Sequence, residues 1–351
     1  MHPRKLTVGA GLVLSVLSGC KEEKKRSAEQ PAASAEASKS NVDPEVAHAL
    51  AAVSANPASP KQTQPGGPPE NGVFAPGAAD QEMPKGGAPK ITMGSDGTEP
   101  RLTLGSMLLG PGRTLRARLA SGGRGPLPMD FRLAFEPGGK APGAELVDYT
   151  ARVASAGLDA SQVAAVDERV KTGLSRLRGS KIRFKLAPSG VGSDFVVERA
   201  QGASADLEDT LRSLSEILAT TLLPYPQKPV GAGAYWMATT RETVVGFDTV
   251  AYRLVTVEKV QGDTLSLKVD SKRYAATDAA PDLAGMPPNA GAVRVEQFKS
   301  VGQGTLTVGK GSALPSEGKL TQELVALLSM SNQPGQPAVM QTQVSVTLSR
   351  Q

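Results

Sequence analysis

The sequence predicts an α+β fold, a mainly antiparallel β-sheet curved in the manner of a half-barrel, with two amphipathic helices packed on it. Three observations predict it. Most segments between residues 91 and 351 alternate apolar and polar side chains with the period of two of a strand that is wet on one face. Two stretches instead repeat Leu and Val at helical spacing. Glycines and prolines break the chain between these runs, where tight turns need them.

The strands begin with "RTLRARLAS", in which Leu115, Ala117 and Leu119 share one face and Arg116 and Arg118 the other. "MDFRLAFEP" and "ELVDYTARVAS" follow the same period, and "KIRFKLAP" turns Ile182, Phe184 and Leu186 inward against Lys181, Arg183 and Lys185 outward. "DFVVERA" continues the pattern. Helical spacing first appears in "LDASQVAAVDERVKTGLSRLRG". Asp159 is its cap with Gln162 three residues on, Val163, Val166, Val170, Leu174 and Leu177 form its stripe, and Gly179 ends it. The second helix is "SADLEDTLRSLSEILATTLLP", capped by Ser204, with Leu207, Leu211, Leu214, Leu218 and Leu222 on one face and Pro224 as its stop. Pro224, Pro226 and Pro229 then hold the chain extended up to a strand beginning near Tyr235. "VAYRLVTVEKVQGDTLSLKVD" reads as a hairpin about Gln261-Gly262-Asp263, and "AVRVEQFKSVGQGTLTVG" as a second. The end of the chain reads as a third hairpin, although Leu320 to Leu328 suits helix as well as strand.

The amino-terminal part has a different character. Arg4 and Lys5 precede a twelve-residue apolar run, which ends in Leu17, Ser18, Gly19 and Cys20, the single cysteine. A basic end, a short apolar core and small residues before a cut site describe a secretory signal peptide, and the run is too short to span a bilayer, which takes about 20 residues. The Leu-Ser-Gly-Cys sequence resembles the lipobox of bacterial lipoproteins. That resemblance implies transfer of diacylglycerol to the Cys20 thiol, cleavage between Gly19 and Cys20, and acylation of the new amino group, often with palmitate. It also implies attachment to a membrane through lipid, and Lys21, where an aspartate would mark inner-membrane retention, implies the outer membrane. The expected organisation is a signal peptide over 1–19, a lipid-anchored disordered linker over 20–90 and a β-rich globular domain over 91–351, either one body or two coupled halves, 91–223 and 224–351. The linker is rich in Ala, Ser, Pro and Gly, too poor in apolar side chains to offset the entropy of ordering. Its one interruption, "VDPEVAHALAAVSAN", is a short amphipathic segment.

Charge and chemistry narrow the function. Residues 1–26 carry six basic and two acidic side chains, which leaves 33 basic and 32 acidic of the 39 and 34 in the whole chain. The rest of the chain is therefore near neutral, so the high pI belongs to the first 26 residues and is no nucleic-acid footprint. The two histidines, His2 and His48, and Cys20 all precede residue 91, so that part has neither His nor Cys. Ser-His-Asp and Cys-His catalysis and the usual zinc ligand sets are thereby excluded from it. "SEGK" at Ser316 to Lys319 and "KTG" at Lys171 to Gly173 mimic serine-lysine acyl-transfer motifs in reversed order, and Gly231-x-Gly233, Gly190-x-Gly192 and Gly302-x-Gly304 read as turns. Asp167-Glu168 and Asp206-Glu208-Asp209 read as helix-start or surface acids. The stretch from Pro226 to Trp236, "PQKPVGAGAYW", with the hairpin after it, resembles a class of uncharacterised bacterial lipoproteins that carry a long β-rich domain behind the lipid anchor. The resemblance covers about residues 200 to 350 and brings no catalytic residues, metal or cofactor with it. The expected function is a non-catalytic binding or structural module of the cell envelope with a protein partner there. A carrier of an acyl chain or lipid in a sheet-helix cleft is the alternative, and an enzyme using only carboxylates, serine and lysine comes third. Trp236, the single tryptophan, is expected to be buried, to hold the second helix on the sheet and to donate its indole N–H to a backbone carbonyl.

Overall fold

Alternating segments become strands wherever neighbours can cover one face. The computed structural model of the protein describes residues 68–105, 113–120, 129–138, 146–158, 168–280, 292–312, 314–331 and 337–350. The first described elements are helix α1 (Ala78–Glu82), strands β1 (Lys90–Ser95), β2 (Thr98–Leu102), β3 (Arg113–Ala120), β4 (Met129–Pro137) and β5 (Val147–Leu158), and helix α2 (Glu168–Ser175). Next come β6 (Lys181–Leu186), β7 (Gly192–Glu198), a 3₁₀ turn (Ala205–Leu207), helix α3 (Glu208–Thr221), β8 (Val230–Ala232) and β9 (Tyr235–Val244). The chain closes with β10 (Phe247–Gln261), β11 (Thr264–Ala275), β12 (Val293–Gly309), β13 (Glu317–Met330) and β14 (Ala338–Arg350). Twelve strands form one antiparallel sheet in the order β1-β9-β10-β11-β12-β13-β14-β3-β4-β5-β6-β7, and β2 pairs separately with β8. Among the described residues the sheet is not closed into a barrel, and β1 and β7 are its edges.

The helices contribute to burial as their stripes require. Leu211, Leu214 and Leu218 of α3 are fully buried, together with Leu207, Ile217 and Leu222, in a cluster with Phe131 and Leu133 of β4, Phe184 of β6 and Val344 and Val346 of β14. Helix α3 lies against β7, β9 and β14. Leu174 and Leu177 at the end of α2 join the same cluster, but Val170 is exposed. Of the longer helix expected here, residues 159–167 lie outside the described residues, as does the segment 42–56. Ser204 precedes the 3₁₀ turn without a capping hydrogen bond from its side chain. Glu208 and Asp209 in the first turn of α3 supply favourable charge there instead.

Two expectations are corrected, and the open choice between helix and strand at Leu320 to Leu328 is settled. "AVRVEQFKSVGQGTLTVG" is no hairpin. It is the single seventeen-residue strand β12, with Gly302 and Gly304 in its middle, paired along its length with β13. Leu320 to Leu328 is strand, inside β13. The chain also packs before residue 90. Asn71 to Phe74 wedge in where β12 parts from β11, with Phe74 N–H donating to the Ala275 carbonyl at 2.9 Å and Phe298 N–H to the Asn71 carbonyl at 3.0 Å. Val73 is buried on one side with Phe298, and Phe74 on the other with Ala79, Met83, Val250 and Ala276. Arg241 fixes α1 in place. Its fork grips Asp248 at 2.6 and 3.0 Å and its third nitrogen donates to the Met83 carbonyl at 3.2 Å. Burial alone would raise the Asp248 carboxyl, but this fork outweighs it and holds the group below its ordinary range.

The β9–β10 hairpin contains local strain. Val244 pairs with Phe247, so the turn has two residues, Val245 and Gly246, and both have positive φ, 51° and 79°. This is the geometry of a primed turn, which suits Asn-Gly and penalises a β-branched residue. The Glu216 carboxylate on α3 steadies it by accepting the Gly246 N–H at 3.2 Å. Val245→Asn should therefore stabilise the protein by about 1 kcal/mol, seen as a higher urea midpoint with unchanged slope.

Candidate functional site

The side chains that break the rules of burial cluster on three neighbouring strands. Arg253 in β10 occupies the same phase as Ala251, Val255 and Val257, all fully or nearly fully buried. Arg273 in β11 shares its phase with Leu267 and Val269, and Glu242 in β9 with Trp236 and Ala238. The register places them side by side, since Arg253 faces Ser271, Arg273 faces Ala251 and Glu242 faces Thr249. Both guanidinia reach the one carboxylate, Arg253 on Oε2 and Arg273 on Oε1. The three side chains are only 3, 3 and 8 % exposed. Desolvation would push the Glu242 carboxyl up, but the two guanidinia prevail and hold it below the ordinary carboxylate range. Arg253 is drawn down by burial and by the charge of Arg273, with Glu242 opposing.

Around this triad lies a polar band between two apolar clusters. Trp236, Val255, Leu267 and Leu306 belong to one cluster and Phe247, Phe298, Ala326 and Met340 to the other. Between them the hydroxyl of Ser271 accepts from Arg273 at 3.2 Å, Gln322 donates to the Ser300 hydroxyl at 3.2 Å, and Thr249 donates to the Glu242 backbone carbonyl at 2.9 Å. The end of α3 meets the band. Arg253 donates to the Leu222 carbonyl at 3.4 Å, and the Thr220 and Thr221 hydroxyls cap the carbonyls of Ile217 and Leu218 at 2.8 and 2.7 Å. Gly302 makes room for this arrangement. A Cβ there would come within 2.6 Å of the Ser271 hydroxyl oxygen, so the glycine serves close approach inside a strand and not a turn. A cavity lined by Arg253, Arg273, Ser271, Thr220 and Gln322, with Val269, Leu320 and Val344 as apolar wall, has room for about one water molecule.

The residues singled out from sequence fall elsewhere. Gly19 and Cys20 lie outside the described residues. Trp236 is fully buried and its indole N–H donates to the Pro224 carbonyl at 3.0 Å. It packs with Leu223, Tyr225 and Val230 just beyond α3, and not in the cluster of Leu218 and Leu222. The motif before it is explained by the same packing. A Cβ on Gly231 would collide with the Thr98 carbonyl across the β2–β8 pair, and Gly233 has φ 78°. Ser316 donates its hydroxyl to the Thr307 carbonyl at 3.1 Å, and Lys171 pairs with Glu168 at 2.7 Å on α2. Glu208 pairs with Arg212 at 2.8 Å on an exposed helix face. The outward basic rows are matched across strands, Arg183 by Glu198 at 3.0 Å, Lys185 by Asp194 at 2.8 Å and Arg116 by Asp130. Among the described residues no three of His, Cys, Asp and Glu come together in a way that could hold a metal ion, and no helix is long and apolar enough to cross a membrane. No protein-family model and no curated protein matches the chain.

Two outcomes follow from this geometry. Tryptophan emission of the folded protein should be blue-shifted and shielded from acrylamide, and Trp236→Ala should cost about 3–5 kcal/mol in urea unfolding. Glu242→Gln leaves two buried guanidinia without their counter-charge and should cost about 3–5 kcal/mol at neutral pH. Because the folded protein holds this carboxyl below its ordinary value of 4.5, the difference from wild type should be full above that pH and shrink as acid protonates Glu242 in the folded state. Unfolding curves over a pH series measure it.

Proposed function

We propose that the chain is a lipoprotein of the cell envelope, anchored through Cys20, whose folded part is a non-catalytic binding or structural module. The anchoring rests on the Leu17-Ser18-Gly19-Cys20 sequence behind a short apolar run, and the outer membrane on Lys21. The module reading rests on one observation above the others. The apolar stripe of α3 is itself the filling of the sheet face, with Leu211, Leu214 and Leu218 fully buried. In this reading the sheet curves around α3 as a half-barrel, because β9 and β7, both in contact with the helix, stand near opposite ends of the strand order. A carrier of an acyl chain would need that face free, and the cavity at the end of α3 has room only for a water-sized body. Binding then uses the outer surface, and a protein of the envelope is the partner this suits.

Cys20→Ala should abolish metabolic labelling with palmitate and release the protein from the membrane fraction. Native mass spectrometry of the full chain should find no acyl chain bound apart from the anchor. Labelling that persists in the variant would refute the anchor. A lipid of defined mass bound besides it would refute the module in favour of the carrier.

A further inference from the structure

We propose that the cavity between Arg253, Arg273 and the end of α3 binds one small monovalent anion of the size of chloride. The charges require a counter-ion of that kind. Two guanidinia share one carboxylate, and no second carboxylate among the described residues pairs with either. That leaves a surplus positive charge on side chains almost wholly removed from water, an arrangement that is costly unless compensated. The carboxyl-terminal end of α3 offsets part of it, since helix carbonyls carry partial negative charge. Its contribution is limited by distance, 3.4 Å from Arg253 to the Leu222 carbonyl, and by the Thr220 and Thr221 hydroxyls, which already cap the carbonyls of Ile217 and Leu218.

Space and donors select the ion. The cavity holds about one water-sized body. A water there could make hydrogen bonds but would leave the surplus charge in place. Phosphate or sulfate is too large, and its second charge would exceed the surplus. Both guanidinia line the cavity, and the Ser271 hydroxyl, which accepts from Arg273, keeps its own proton for an acceptor. Gln322 has a second amide N–H beyond the one it gives to Ser300. Val269, Leu320, Val344 and Val346 make most of the remaining wall, with Thr220, Gln303 and Thr321 beside them, a largely apolar lining in which an anion between two guanidinia is held more strongly than in water.

The test is thermal unfolding of the full chain in detergent, with bromide replacing gluconate at constant ionic strength. Gluconate is too large to enter the cavity. The midpoint should rise by about 3 °C for each tenfold increase in bromide above its dissociation constant. Arg273→Met, which leaves a neutral Glu242–Arg253 pair, should abolish the response. Lys268→Ala, at an exposed lysine paired with Asp270, should retain it. Crystals grown in bromide should show an anomalous peak between the two guanidinia. A midpoint indifferent to bromide, or bromide-soaked crystals without that peak, would overturn the proposal. These two measurements on the wild-type chain decide it even if Arg273→Met does not fold.

Discussion

Two guanidinia and a carboxylate taken out of water on β9, β10 and β11 constrain everything packed around them. Each of the three charges is tolerable in that interior only because the others are within reach, so the strands that carry them must keep one register. The constraint extends beyond the strands. Arg253 also touches the carbonyl at the end of α3, which ties the helix to the sheet at the point where its apolar stripe runs out. Ser271 and Gly302 occupy the same neighbourhood. The hydroxyl takes the Arg273 donor, and the missing Cβ gives the hydroxyl its space. Replacing the whole set with apolar side chains of equal volume would cost little or even stabilise the fold, whereas removing one member is expensive. The triad is therefore better understood through what it specifies than through how much it stabilises.

A second charged fork works on the other side of the sheet. Arg241 and Asp248 stand on neighbouring strands and hold α1 through the Met83 carbonyl, while Val73 and Phe74 insert on opposite sides where β11 and β12 part. Here the ion pair is partly buried and its purpose is attachment. A segment with few apolar residues can dock if those few reach sites already shaped by the sheet. Four buried side chains, Val73, Phe74, Ala79 and Met83, do this.

These two forks mark where sequence reasoning succeeded and failed. The half-buried strands were legible because Ile182, Phe184 and Leu186 alternate with Lys181, Arg183 and Lys185, and the structure buries the first set while the second keeps its solvent contact. The stripe of α3 was legible for the same reason. Residues 68–90 were not, because their composition resembles unstructured chain and their burial depends on partners more than 150 positions away in sequence, such as Val250 and Ala276. Strand β12 was mistaken for a hairpin because Gly302 and Gly304 look like a turn, whereas close approach of neighbouring groups accounts for both. The triad was overlooked because charged residues are assigned to solvent by default. Its signal was present nonetheless. Arg253, Arg273 and Glu242 each fall in the apolar phase of an alternating strand, and three such lapses on strands joined by tight turns point to one buried site. Cys20 lies outside the described residues, and only its local sequence pattern speaks for it.

The pattern of burial explains why so costly a device persists in this sheet. A slip of one residue between strands turns every side chain to the wrong face, and the hydrophobic effect forbids it. A slip of two residues does not change faces. In long strands such as β10, β11 and β12, of 15, 12 and 17 residues, the repeating Val and Leu would remain buried after such a slip with only modest loss of packing. Alternation alone therefore leaves a family of competing registers. The triad separates them, because moving one strand by two positions carries its charge roughly 6.6–6.8 Å along the sheet, away from its partner and into an apolar cluster on either side of the polar band. Gly302 reinforces this choice, since only in the observed register does its missing Cβ face the Ser271 hydroxyl. The apolar residues drive the sheet to form, and the charged residues within it determine which of the apolar-compatible pairings it adopts.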